Sequence, residues 1–184
     1  MKQIAVFFDL QGTLGRDGLG HILDFALYPT AVPALILAQS AGWLSIIVTN
    51  QSQIGRGKLT YGEYEAKMTA LKRELAGHGV TIDAVYCCPH IPTDNCSCKK
   101  PLPGMLRQAE RDFDLDIARS VVVGDTGPSD MAMARAAGCK AVLVRTGLGE
   151  GSLGEFRHLW AGIEPDFVAV DVLEAVRWIV RQGV

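Results

Sequence analysis

No apolar run in the chain approaches the length of a membrane span, so no transmembrane segment is expected. A charge excess is also lacking. Eighteen Lys and Arg against 20 Asp and Glu leave a formal net charge of −2, which gives no electrostatic reason to expect a nucleic-acid or acidic-membrane partner. There is no internal repeat, low-complexity tract or linker-like stretch. Met1-Lys2-Gln3 runs straight into an apolar segment, leaving no room for a signal peptide. The expectation is a cytoplasmic monomer folded as one domain over residues 1–184. The five cysteines are odd in number, and three of them lie between Cys88 and Cys98. In a reducing compartment such crowding suggests metal rather than disulfides.

What the chain does have is an ordinary globular share of apolar residues, 48%, arranged as short strands alternating with helices. Ile4 to Phe8 is an uninterrupted apolar run that stops at Asp9-Leu10-Gln11-Gly12-Thr13. A run of that kind reads as a strand buried on both faces. Leu44–Val48, Ala84–Cys87, Ser120–Val123 and Ala141–Val144 read the same way, and Phe167–Val170 as an edge strand. Helices are expected from Thr30 to Ala41 (stopped by Gly42), Thr60 to Ala76, Pro103 to Phe113, Ser129 to Ala137 (closed by Gly138) and Ser152 to Trp160. A last helix is expected from Asp171. Thr60 with Glu63, and Asp171 with Glu174, have capping-box spacing. Leu14 to Tyr28, with three glycines and little periodicity, reads as a loop or flap over the end of the first strand. The alternation predicts an α/β fold, a parallel sheet with helices on both faces.

Parallel strands bring their carboxyl ends to one sheet edge, where open α/β folds bind ligands. Three strands end there in polar groups: Asp9, Thr49 and Asp125. Lys100 lies just before a predicted helix start. Two carboxylates supply hard oxygen ligands for magnesium, while Thr49, nearby backbone N–H groups and Lys100 suit phosphate oxygens. An aspartate facing a metal-bound phosphoryl group can attack it and become an aspartyl phosphate. Separately, Cys88, His90, Cys96 and Cys98 offer three thiolates and an imidazole. That set makes a closed tetrahedral zinc site with no position left for catalysis. The alternatives are scattered cysteines beside a surface histidine, or Cys87 as a ligand. Cys139, Trp43, Trp160, Trp178, Met131 and Met133 read as packing, and His78 and His158 as surface.

These motifs in this order resemble a haloacid dehalogenase superfamily phosphatase over nearly the whole chain. The matching elements are Asp9-Leu10-Gln11-Gly12-Thr13, Thr49, Lys100, and Gly124-Asp125 with Asp130. Thr49-Asn50-Gln51-Ser52, Arg56-Gly57-Lys58, Cys88-Pro89-His90 and Cys96-Ser97-Cys98-Lys99-Lys100-Pro101 narrow the resemblance to the D-glycero-D-manno-heptose 1,7-bisphosphate phosphatases and the related histidinol-phosphate phosphatases. Pro103-Gly104-Met105-Leu106 and Val144-Arg145-Thr146-Gly147 look more like the heptose enzymes. The resemblance implies a Rossmann-like, capless fold with a zinc-pinned loop. Only 39 residues separate Asp9 from Thr49, too few for a folded cap. It implies Asp9 as nucleophile, Thr49 and Lys100 on the phosphoryl group, and magnesium on Asp9, the Gln11 carbonyl and Asp125, with Asp130 behind them. Substrate contacts are implied for Asn50, Gln51, Ser52 and Lys99, the last against a solvated lysine. The implied ligand is a small phosphorylated metabolite. The family pattern takes Cys88, next to Pro-His, rather than Cys87 for zinc.

Gln11 departs from the pattern, standing where the family has its second aspartate, the proton-exchanging acid and base. A carboxamide hydrogen-bonds but exchanges no proton near neutral pH. The expectation is therefore a phosphatase with impaired turnover, or a phosphosugar-binding protein on a phosphatase scaffold. Asp17 or His21 on the flap is the candidate substitute base. Thr126, where some heptose phosphatases carry a lysine, removes one phosphate contact.

Overall fold

The structure is a computed structural model and describes residues 2–16 and 20–183. Asp17 lies outside the described residues. Six parallel strands form one sheet: β1 (Ala5–Phe8), β2 (Leu44–Asn50), β3 (Ala84–Cys88), β4 (Val121–Gly124), β5 (Lys140–Val144) and β6 (Phe167–Ala169). Their spatial order is β3-β2-β1-β4-β5-β6, which places β1 and β4 side by side at the sheet's centre. The chain winds one way from β1 to β2 and the other way from β4 onward, so a topological switch point lies between them.

The continuous apolar strands follow from burial on both faces. In β1, Val6 and Phe8 point to one side and Ala5 and Phe7 to the other, all with no exposed surface. The first side is covered by α1 (Ala31–Ser40), α3 (Tyr61–Gly77) and α7 (Val172–Gln182), through residues such as Leu35, Leu71, Leu75, Val176 and Ile179. The second is covered by α4 (Gly104–Phe113), α5 (Ala132–Ala137) and the indole of Trp160, with Met105, Leu106 and Met133. Burying each such side chain contributes about 1.5–3 kcal/mol of transfer free energy. Two short helices, α2 (Ser52–Gly55) and α6 (Gly149–Leu153), follow β2 and β5 on the functional edge.

Several elements differ from the sequence reading. Thr30 makes no side-chain cap bond, so α1 starts without one. Thr60 and Glu63 close a full capping box, whereas Glu174 reaches past Asp171 to the Val170 N–H. The helix expected over Ser129–Ala137 begins as a π-turn at Gly127–Met131. The helix expected over Ser152–Trp160 is two pieces, α6 and a 3-10 turn at Arg157–Trp160, because the chain reverses at Gly154. Between β1 and β2 the described residues form a 3-10 turn, Ile22–Asp24, and α1. That segment is tied down: Leu14, Ile22 and Phe25 are buried, and Lys67 donates to the Leu23 and Phe25 carbonyls at 3.0 and 2.8 Å.

Candidate active site

The carboxyl ends of β1, β2 and β4 converge on one small cavity of about 120 Å³, lined by Asp9, Gln11, Thr49, Lys100, Asp125 and Asp130 among others. Each side chain arrives for a local reason. Asp9 and Asp125 are the first residues beyond β1 and β4, and the Asp9 N–H still bonds the Val123 carbonyl at 2.9 Å. Asp130 sits in the π-turn, against Gly124, where a Cβ would lie 2.4 Å from the Asp130 carboxyl carbon. Lys100 enters from the loop after β3. Its Nζ lies 2.6 Å from Asp9 Oδ1 and 2.7 Å from Asp130 Oδ1, and the residue is 5% exposed.

Asp125 is fixed on both oxygens. Thr126 Oγ1 donates to one at 3.0 Å and the Leu148 N–H to the other at 2.8 Å. Two glycines let the backbone close around it. A Cβ at Gly12 (φ +91°) or Gly147 (φ +58°) would come within 2.0 or 2.2 Å of Asp125 Oδ2. Thr146 Oγ1 links the two turns by donating to the Gly12 carbonyl at 2.7 Å. Thr146 and Leu148 were given no role from sequence. The only sequence signal was the likeness of Val144-Arg145-Thr146-Gly147 to the heptose enzymes.

Three carboxylates share this space with one ammonium. Burial pushes the Asp9 carboxyl up to about 6; Lys100 opposes the rise and Asp130 adds to it. Burial, then the charges of Asp9 and Asp130, push Asp125 up to about 8. For Lys100, burial acts to lower the pKa, but Asp130 and Asp9 outweigh it and hold it above its ordinary value. One oxygen from each of Asp9, Asp125 and Asp130 lies within 4.8 Å of the others. Crowded, partly uncompensated hard oxygens fit a magnesium ion.

The strand-end residues after Thr49 turn toward one another. Gln51 is 3% exposed, and its Nε2 donates to Thr49 Oγ1 and to Gln11 Oε1, both at 3.0 Å. Gln11 Nε2 in turn donates to the Gly20 carbonyl at 2.7 Å. Asn50 spends its carboxamide on the backbone of Lys100, accepting from its N–H at 3.1 Å and donating to its carbonyl at 3.4 Å. Ser52 donates to the His90 carbonyl at 2.9 Å and accepts from Lys99, which also bonds that carbonyl at 3.3 Å. Beside the cavity a cleft of about 500 Å³ is lined by Gln11, Gly20, His21, Gln51, Arg56 and Lys58 among others.

Cys88, His90, Cys96 and Cys98 meet on the far side of this loop. Cys88 Sγ lies 3.6 Å from His90 Nδ1 and 3.7 Å from Cys96 Sγ; Cys98 Sγ lies 3.1 Å from Cys88 Sγ and 3.2 Å from His90 Nδ1. A tetrahedral zinc with bonds of about 2.3 Å to sulfur spaces its ligands by about 3.7 Å. The donor set and spacing fit zinc. Cys87, on the opposite face of β3, packs partly buried against the helix α3 side.

With this geometry in view, the class of protein follows: residues 97–175 match the HAD-hydrolase-like family. The chain is 36% identical to the D-glycero-D-manno-heptose-1,7-bisphosphate 7-phosphatase of Thermosynechococcus vestitus, over 97% of this chain and 96% of that one. It is 34% identical to the D-glycero-β-D-manno-heptose-1,7-bisphosphate 7-phosphatase of Pseudomonas aeruginosa, over 84% and 88% of the two chains. The crystal structure of the D,D-heptose 1,7-bisphosphate phosphatase of B. bronchiseptica with magnesium and phosphate superposes with a TM-score of 0.88, at 32% identity and 99% coverage of both. The chain belongs to the heptose-1,7-bisphosphate 7-phosphatase family.

The raised carboxyls set a pH dependence. Both have an ordinary value of 3.8. A carboxyl that holds its proton longer folded than unfolded costs stability as it ionises, beginning above its unfolded pKa and complete above its folded one. In magnesium-free buffer the melting temperature should fall from about pH 4 through about pH 8, and magnesium should raise it more at the upper pH. A flat profile, or magnesium stabilisation greatest at low pH, would contradict this electrostatic account.

Proposed function

We propose that the chain is a magnesium-dependent phosphatase for a sugar phosphate, D-glycero-D-manno-heptose 1,7-bisphosphate foremost, acting through a phosphorylated Asp9. The observation that carries the proposal is the Asp9–Lys100–Asp130 contact beside Asp125, at the carboxyl ends of the two central strands. The relatives' names support the heptose substrate over histidinol phosphate.

Asp9, the Gln11 carbonyl and Asp125 are the residues that would hold magnesium, which when bound neutralises phosphoryl oxygens. Asp9 keeps one oxygen toward Lys100 and presents the carboxylate to phosphorus. Thr49 accepts from Gln51, so its own hydroxyl proton is left to donate to a phosphoryl oxygen. Lys100 neutralises the transferring group and Asp130 positions Lys100. Asn50 acts by fixing the Lys100 backbone, and Gln51, Ser52 and Lys99 border the cleft where the sugar would lie. Gln11 favours a second reading, a phosphosugar-binding protein with weak turnover. We read the chain as one domain, a cytoplasmic monomer without nucleic-acid or membrane partners.

A panel of phosphate esters with magnesium tests the assignment. Among sugar phosphates and histidinol phosphate, release should be fastest from a heptose bisphosphate, and Asp9→Asn should abolish it while the protein still folds. Unchanged turnover in Asp9→Asn would place the chemistry elsewhere, and preference for histidinol phosphate would reassign the substrate.

Zinc on Cys88, His90, Cys96 and Cys98 is the second assignment, with a structural role. Metal analysis should find about one zinc per chain, and chelation should lower the melting temperature. Folded, zinc-free protein with reduced, unliganded cysteines would rule it out.

A further inference from the structure

Gln11 lines both the cavity around Asp9 and the larger cleft beside it. A phosphorylated substrate with its phosphoryl group on Asp9 must therefore pass its bridging oxygen near this carboxamide. The amide is built into its surroundings. Its Nε2 has a carbonyl to donate to, Gly20, and its Oε1 has a donor, Gln51. Among the described residues lining the cleft, the titratable groups are His21, Arg56 and Lys58. Arg56 and Lys58 are exposed at the rim. His21 Nδ1 accepts the Leu23 N–H at 3.3 Å, which puts the proton of the neutral ring on Nε2. In that tautomer the ring has no free lone pair to take a proton from water. The carboxyls of the cavity are engaged by Lys100 (Asp9, Asp130) and by Thr126 and Leu148 (Asp125).

We propose that this chain selects its substrates by leaving group: it dephosphorylates esters whose bridging oxygen departs without protein assistance, namely aryl, acyl and anomeric phosphates, and is slow on primary alkyl phosphates. The inference rests on the reading of Asp9 as nucleophile. In the first step an Asp9 oxygen lone pair forms a bond to phosphorus. The bond from phosphorus to the bridging oxygen breaks, its electron pair leaves on that oxygen, and the oxygen takes a proton from water. In the second step a water oxygen bonds to phosphorus. The Asp9–phosphorus bond breaks, its electron pair returns to the carboxylate, and the water's proton goes to solvent or to the phosphate released. Among the described residues neither step has a protein group to move the proton, which makes the second slow for every substrate. The primary C7 ester of a heptose bisphosphate lies at the slow end of this range and its anomeric C1 ester at the fast end.

The test is a series of monophosphates with magnesium, from 4-nitrophenyl through phenyl to a primary alkyl phosphate, on the chain as written and on Gln11→Asp. For the chain as written, kcat/KM, which reports the first step, should fall steeply as the leaving group becomes more basic. The activated esters should share one kcat and show a burst of about one equivalent of phenol per chain, from accumulated phospho-Asp9. A placed proton donor is worth roughly 10²–10⁴ in rate. Gln11→Asp should therefore raise the alkyl ester's kcat/KM by about that factor, change the 4-nitrophenyl ester's little, and remove the burst. A shallow leaving-group dependence in the chain as written overturns the proposal. So does selective loss of alkyl activity in Asp17→Asn or His21→Ala, which would identify a substitute donor. Failure of the Asp9 reading looks different: Asp9→Asn would then keep its activity on every ester.

Discussion

The ammonium of Lys100, buried between Asp9 and Asp130, is the interaction on which the rest of the site depends. Removing one partner from such a buried arrangement typically costs about 3–5 kcal/mol, because the remaining charge is stranded. Asp9, Asp125 and Asp130 together exceed what one ammonium can neutralise, and burial, with their mutual repulsion behind it, raises the Asp9 and Asp125 carboxyls. The pocket therefore has an electrostatic demand for a cation and a geometric place for an anion beside it. This is the arrangement a metal-assisted transfer to a carboxylate requires.

The fold makes that concentration of charge possible by giving each group to a different element. Asp9 and Asp125 leave adjacent strands in the same direction, so a single-residue extension of each brings them together. Gly12 and Gly147 let the two following turns close on Asp125 where any side chain would collide with it. Beneath, Ser152 accepts the Gly127 N–H and donates to the Asp125 carbonyl, and the Trp160 indole donates to the Ser152 carbonyl. The π-turn bearing Asp130 is thus packed onto the same apolar layer that covers the sheet.

The strands were legible because burial on both faces writes itself as unbroken apolar runs, and the polar residues that break three of those runs, Asp9, Thr49 and Asp125, line one cavity. The cysteine–histidine spacing was legible for a similar reason: few structures need that set so close together. Side-chain partnerships between distant segments were not. The resemblance implies Asn50 as a substrate contact; that its carboxamide also brackets the backbone of a residue fifty positions away was not legible. The Thr49–Gln51–Gln11–Gly20 chain joins three segments by amide and hydroxyl bonds that leave no periodicity in the sequence. The Leu14–Tyr28 segment looked loose because glycines at 15, 18 and 20 interrupt it and its buried anchors, Leu14, Ile22 and Phe25, form no continuous apolar run.

The loop that carries Cys88, His90, Cys96 and Cys98 also bears on how Lys100 is held. Cys98 lies two residues before Lys100, and Lys99 between them is tied to Ser52 and the His90 carbonyl. Asn50 fixes the Lys100 backbone from the β2 side. The ammonium is thus aimed from two directions, by a loop that has little apolar core of its own and by a strand end that does. A loop so exposed would sample many conformations if held only by its hydrogen bonds, since loop ordering costs backbone entropy of roughly 1–2 kcal/mol per residue. One zinc ion shared by Cys88, His90, Cys96 and Cys98, as proposed, would remove that freedom across the stretch that leads into Lys100. Such a four-ligand site would then act on the chemistry by limiting where the Lys100 nitrogen can be.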